Sequence, residues 1–282
     1  ATGKTLARQE LTGDGYAYFF MAGAAPLGVR RSAGGATLLD VATGKSRLLA
    51  HKQPFYIYGA APAPNGQLLA LAGHRAAAVD GEDLGAVVLW EVGSGREHLV
   101  LLPHGTGVID VAYAPDGRTV ASVNDDGVIQ FWDVPVFHYY PPRVLTGHAG
   151  GVRAVAFSPD SKLLASAAAD GTIRLWDPAT GAARGTLRGH EGMVRAVAFA
   201  PDGKTLASGA KDALVKLWDL SANKERATLK GHGGMVLALA FAPDGKTLAS
   251  GASDGTVRLH DVKAAREGAV LTGHRGPVYG LA

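Results

Sequence analysis

The 282-residue chain contains no cysteine. This excludes disulfides, thiolate metal sites and a cysteine nucleophile together, while leaving the compartment undetermined, with the cytoplasm as the default. Charge is scarce as well: charged residues make up 19%, with a net charge of +3 when His is neutral. They fall in ones and twos rather than in blocks of five or six, so the chain lacks the electrostatic footprint of a nucleic-acid binder. No apolar run approaches the ~20 residues of a membrane-spanning helix, and no membrane partner is expected. The sequence opens at Ala1 with neither an initiator Met nor a basic-then-apolar leader, so any targeting segment is expected to lie outside it. What is abundant is turn chemistry. The 39 Gly and 14 Pro make up about 19% of the chain, against ~12% in an average protein. With 47% hydrophobic residues the chain is folded, and an all-β sandwich, barrel or propeller of this length forms one domain.

The turns recur. Gly-His pairs end at His148, His190, His232 and His274, a spacing of 42. A second marker, Trp or His followed by Asp, falls at Trp132, Trp176, Trp218 and His260, and its last three members keep the same spacing. Between the markers sit Pro115-Asp116-Gly117, Pro159-Asp160-Ser161, Pro201-Asp202-Gly203 and Pro243-Asp244-Gly245, each a tight-turn tripeptide between short apolar runs. Within one repeat the runs are Val194 to Phe199, Thr205 to Ser208, Leu214 to Trp218 and Ala227 to Leu229. No window carries apolar residues at helical spacing for three turns, so each repeat reads as four antiparallel strands, a to d.

Four strands per repeat of about 40–45 residues, with Gly-His and Trp-Asp markers, resembles the WD40 family over nearly the whole chain. The resemblance implies an all-β WD40 propeller, seven-bladed, in which each blade holds a hydrogen-bonded tetrad. This sequence supplies His104, Ser122, Asp126 and Trp132; His148, Ser166, Asp170 and Trp176; and His190, Ser208, Asp212 and Trp218. The fourth set, His232, Ser250, Asp254 and His260, carries imidazole in place of indole and is expected to be weaker. The blades are placed at residues 14–50, 51–103, 104–147, 148–189, 190–231 and 232–273. Residues 1–13 read as the outer strand of a closing blade and 274–282 as its inner strand, so the array is expected to be a trimmed piece about 22 residues short of a closed ring. The first of the six blades lacks a recognisable tetrad: Asp14 replaces His and Leu39 replaces Trp, and Tyr16, Tyr18, Phe19 and Phe20 are expected to hold it by apolar burial. The second carries about 11 extra residues, mostly over 72–85 in the b-to-c connection.

Several motifs dissolve in this frame. Gly251 to Gly255 fits the G-x-S-x-G of a nucleophile elbow, but it lies in a hairpin rather than a strand-to-helix turn. Gly203-Lys204-Thr205 echoes a P-loop without its first Gly or its following helix. Five of the ten His (His104, His148, His190, His232 and His274) sit in the Gly-His slot, with His51 as a looser sixth, and are read as tetrad members rather than metal ligands; no cofactor or metal is expected. The binding residues are sought on strand a, five residues after each slot His (Ile109, Arg153, Arg195, Leu237 and Tyr279), at its loops and before the tetrad Asp. Candidates are Arg153, Arg195, Met193, Met235, Lys211 and Tyr279, together with His74 and Arg75 in the long insertion beside Asp80, Glu82 and Asp83. A second patch is Phe137 to Pro142, in the c-to-d connection of the third blade. The expected function is a non-catalytic scaffold that binds a protein or peptide at its top face and central channel. It would act as a monomeric propeller or as part of a larger chain or complex. The alternative is a sensor or regulatory propeller of an enzyme whose catalytic domain lies outside this chain.

Overall fold

The computed structural model describes residues 17–22, 25–32, 35–40, 45–50, 55–75, 84–134 and 142–281. The expectations resting on Asp14 and Tyr16, on Asp80, Glu82 and Asp83, and on residues 1–13 and 135–141 lie outside the described residues, as do the side chains of Tyr18, Phe19, Phe20, Arg75 and His104. The described residues form strands and turns with no helix, and therefore no helix able to cross a membrane.

Among the described residues, twenty-four strands make six antiparallel sheets of four, each sheet built from consecutive strands in chain order. The first holds β1 (Ala17–Ala22), β2 (Ala25–Ser32), β3 (Gly35–Asp40) and β4 (Ser46–Ala50). The second holds β5 (Phe55–Pro62), β6 (Leu68–Arg75), β7 (Leu84–Glu91) and β8 (Glu97–His104). The third holds β9 (Val108–Tyr113), β10 (Thr119–Asn124), β11 (Ile129–Asp133) and β12 (Arg143–Leu145). The fourth holds β13 (Val152–Phe157), β14 (Leu164–Ala168), β15 (Ile173–Trp176) and β16 (Ala183–Leu187). The fifth holds β17 (Val194–Phe199), β18 (Thr205–Ala210), β19 (Val215–Asp219) and β20 (Lys224–Leu229). The sixth holds β21 (Val236–Phe241), β22 (Thr247–Ala252), β23 (Val257–Asp261) and β24 (Arg266–Leu271). The first strands β5, β9, β13, β17 and β21 contact one another in succession, so they form the inner wall of the assembly.

The hairpins follow from the turn tripeptides. Ala200 donates its N–H to Thr205 O at 2.8 Å, Gly203 donates to Ala200 O at 2.9 Å, and the Asp202 carboxylate accepts the Lys204 N–H at 2.8 Å. The tripeptides at Pro115 and Pro243 repeat these bonds, as does Pro64-Asn65-Gly66 in the second sheet. An Asp or Asn at the centre pins the turn with its own side chain. Core formation is a matter of sheet against sheet. Leu187 of β16 packs with Val194, Leu206 and Trp218 of the next sheet, and Leu229 of β20 packs with Val236 and Leu248. Leu145, Leu187 and Leu229 are accordingly 8%, 1% and 4% exposed, whereas Leu271 at the same repeat position of β24 is 51% exposed. Among the described residues, His274 to Leu281 lie against that last face. They form no ladder, yet Val278 is buried and crowds Gly251 as Val236 crowds Gly209, and its N–H donates to Ala252 O at 3.0 Å.

One feature departs from expectation. His74 and Arg75 are not in a loop: they end β6, in a register that pairs Ala72 to Arg75 with Val87 to Leu84. The extra length of the second blade therefore lengthens a hairpin, because continuing the ladder satisfies backbone groups that a loop would leave to solvent. In the fifth sheet, Ala213 takes φ +65 at the b-to-c turn, where Gly127, Gly171 and Gly255 take the same conformation in other sheets. A Cβ in this region costs ~1–2 kcal/mol, partly offset by the lower chain entropy of Ala in the unfolded state. Ala213→Gly should therefore raise the unfolding free energy by about 0.5–1 kcal/mol, read as a higher urea midpoint at unchanged slope. A lower midpoint would mean that the turn is not strained.

Candidate functional site

Two constellations draw the sequence candidates together. The first lies within the blades. In the fourth sheet, His148 Nδ1 is 3.1 Å from Asp170 Oδ2, its Nε2 is 2.7 Å from Ser166 Oγ, and Trp176 Nε1–H donates to the same Oγ at 2.8 Å. The fifth sheet repeats this with His190, Asp212, Ser208 and Trp218 at 2.8, 2.7 and 2.7 Å. In the third sheet Trp132 donates to Ser122 at 2.8 Å, while Asp126 accepts from Thr106 and from the buried Asn124, a residue that the sequence reading passed over.

Aspartate, imidazole and serine hydroxyl in this order have the connectivity of a hydrolase triad. The surroundings oppose that chemistry. Ser122, Ser166, Ser208 and Ser250 are 0% exposed. In the third to fifth sheets an indole N–H occupies the oxygen that would attack. Asp170, Asp212 and Asp254 are held as anions instead: for Asp170, burial pushes the pKa up, but bonds from Thr172, Ala149 and His148 outweigh it and hold the group at about 2. Burial lowers the pKa of His148 and His190, keeping the rings neutral. These networks pin strands a, b and c of one sheet together.

The sixth sheet differs. His232 Nδ1 donates to Thr256 Oγ1 at 3.1 Å, so its Nε2 is the lone-pair nitrogen and accepts from Ser250 at 2.7 Å. Ser250 Oγ in turn accepts from His260 Nε2–H at 2.8 Å, where the third to fifth sheets use Trp. This assigns the proton of His260 to Nε2 and leaves its buried Nδ1 without a partner. Burial first, then the charge of His232, brings its pKa down to about 4 against the pull of Glu267. With no indole to fill the slot, Arg258 and Glu267, which pair with each other, crowd in toward Gly231.

The second constellation is a cavity of about 500 Å³ at the inner wall. Its origin is a β-bulge repeated in every inner strand from β5 to β21. Pairing skips Tyr58, Ile109, Arg153, Arg195 and Leu237 in turn. A bulge re-aims one side chain, and all five line the cavity, joined by Tyr279 from the 275–281 segment. Of the sequence candidates with described side chains, Arg153, Arg195, Met193 and Tyr279 line it; Met235, Lys211 and His74 do not. Lys211 adjoins it, since its N–H donates to Met193 O at 2.9 Å. His74 reaches it indirectly, with its ring 5.4 Å from Tyr58 and stacked on Tyr56 at 4.7 Å.

Two lining residues went unread in the sequence. Tyr58 lies seven residues after His51 rather than five after the slot His, and only the bulge register reveals it. Asp110 is the one charged residue at a position that elsewhere is Gly59, Ala154, Ala196 or Ala238. Its Oδ2 accepts the Val155 N–H of the next inner strand at 3.0 Å. Burial pushes its pKa up to about 6, despite the N–H groups of Val155 and Val111 and the charge of Arg195.

Repeated four-stranded sheets around an inner wall, with Asp-His-Ser-Trp networks inside them, define a β-propeller of the WD40 type. A family model for the IFT122 first beta-propeller matches residues 107–282, more than half of the chain, and the chain belongs to that family. No curated protein matches it.

His260 gives a pH signature. Its pKa is 6.5 in the unfolded chain and about 4 when folded. The stability associated with the neutral ring is therefore fully present above pH 6.5 and is lost as pH falls toward 4, an effect of about 2–3 kcal/mol by pH 4.5. Trp has no such titration. The gap in urea midpoint between His260→Trp and the parent should widen in favour of the variant from pH 7.5 to pH 4.5, and a gap that does not change with pH would contradict the assignment.

Proposed function

We propose that the chain is a non-catalytic platform that holds a protein or peptide segment at the mouth of its inner cavity and on the face around it. The observation that carries this reading is the bulge series. Successive sheets each deliver one side chain to one cavity, and the set mixes Arg, Tyr, Ile and Leu. Aromatic and Arg groups around an apolar floor are the composition of protein-binding hot spots. The exposed edges of Tyr56, Tyr58 and Tyr279, at 38%, 38% and 41%, extend the surface outward from that floor. The family description, a first propeller, supports a role within a larger assembly. The buried serines of the blades support a structural rather than a hydrolytic role for the only Asp-His-Ser sets among the described residues.

Selection from a random peptide library on the immobilised chain tests this. Enriched peptides should bind at least tenfold more weakly to Arg195→Ala and Tyr279→Ala and with unchanged affinity to Lys162→Ala, which alters an exposed turn outside the cavity. Equal affinity for all of these variants would overturn the reading.

A further inference from the structure

The two cavity arginines are not equivalent. Arg153 Nη1 is paired with Asp125 Oδ1 at 2.5 Å, so its charge is already compensated. Arg195 donates from Nη1 to the Arg153 carbonyl at 3.0 Å, and no acid lies within ion-pairing distance of it among the described residues. A carbonyl fixes the direction of the guanidinium fork without neutralising it, and the remaining N–H groups stay available. A part-buried cation held in this way is stabilised by an anion that reaches it. Met193 and Leu237 line the same cavity, so the anion that fits is one carried between apolar groups.

Asp110 lies in the same cavity. Its carboxylate bridges β9 to β13 through the Val155 N–H and feels the charge of Arg195. The titratable and charged groups around it are Tyr58 of β5, Arg153 of β13, Arg195 of β17 and Tyr279 of the closing segment. When ionised, Asp110 adds a like charge to the space that an incoming anion would enter. When protonated, it does not.

Building on the platform reading, we propose that the cavity seats a carboxylate side chain of an extended peptide on Arg195, between apolar neighbours, and that Asp110 sets the pH range in which this seat is strong. Arg195 is the anchor, Arg153 shapes the wall through its carbonyl, and Asp110 is the specificity-determining residue. Affinity then rises as pH falls from 7.5 to 5.5. That window spans the raised titration of Asp110, at about 6, and stays above the ~4.3 of a ligand Glu.

The probes are two dye-labelled peptides, Gly-Ser-Leu-Glu-Leu-Ser-Gly and its Gln counterpart, followed by fluorescence anisotropy on the full chain. The Glu peptide should bind about tenfold more tightly than the Gln peptide, and about fivefold more tightly at pH 5.5 than at pH 7.5. Arg195→Gln should erase the difference between the two peptides, while Arg153→Gln should keep most of it. Asp110→Asn, which retains an oxygen for the Val155 N–H, should bind at pH 7.5 as tightly as the parent does at pH 5.5 and lose the pH dependence, a result that a purely structural role would not produce. A Glu preference that survives Arg195→Gln, or a pH profile that survives Asp110→Asn, would overturn the proposal. Equal binding of both peptides would overturn the carboxylate seat while leaving the platform reading intact. Binding of neither would overturn the seat, and the platform reading would then stand or fall on the library selection.

Discussion

A four-stranded sheet that is apolar on both faces cannot bury itself, and the rest of this structure follows from that constraint. Each of the middle sheets places small residues at its centre, such as Ala165, Ala167, Ala207 and Ala210, all fully buried. Larger ones such as Leu187 and Leu229 sit on the outer strands, where the next sheet covers them. Small groups near the inner wall and large ones outside give the wedge that radial stacking needs. Gly209 shows how tight the narrow end is: a Cβ built there would come within 2.4 Å of Val236 on the next inner strand. The exposed Leu271 shows the converse, a side chain of the same kind with no described sheet against it.

Stacking by apolar area is non-directional, and direction comes from the polar networks. A serine hydroxyl that donates to one imidazole and accepts from one indole ties three strands of a sheet together in one arrangement. Because the hydroxyl is buried and doubly used, Asp, His and Ser in triad order here specify structure and not reaction. The sixth sheet keeps the arrangement with imidazole in the indole position, at the cost of an unpartnered Nδ1 on His260 and a ring held neutral well below its ordinary range.

Most of the architecture was legible in the sequence because it is periodic. The period, the Pro-Asp-Gly turns and the Trp-Asp markers are local signals, and they give four strands per repeat and the all-β class without reference to long-range contacts. Counting five residues past each slot His reached Ile109, Arg153, Arg195, Leu237 and Tyr279, because the bulge sits at a fixed distance from the marker wherever the repeat is regular. The same count failed for Tyr58, where the second repeat is longer. The strand at His74 and Arg75 has no local signal, because Ala72-Gly73-His74-Arg75 has no β-branched residue, and it is fixed by pairing with β7. Asp110 and Asn124 were overlooked for a different reason: each is a polar residue at a position that is Ala in the regular repeats, and only the register shows what they face.

The bulge is the device that turns side chains of the inner strands out of the sheet stack and into a solvent-reachable cavity. The absence of cysteine makes a direct measurement available, namely the rate at which a thiol reagent modifies single-cysteine variants at Leu237, the bulged residue of β21, and at Val236, its fully buried neighbour. Leu237→Cys should react readily and Val236→Cys should be protected by orders of magnitude, reacting only when the sheets open. Equal protection of both, or faster reaction at position 236, would mean that the bulge does not face the cavity and that the inner wall is not the surface described here.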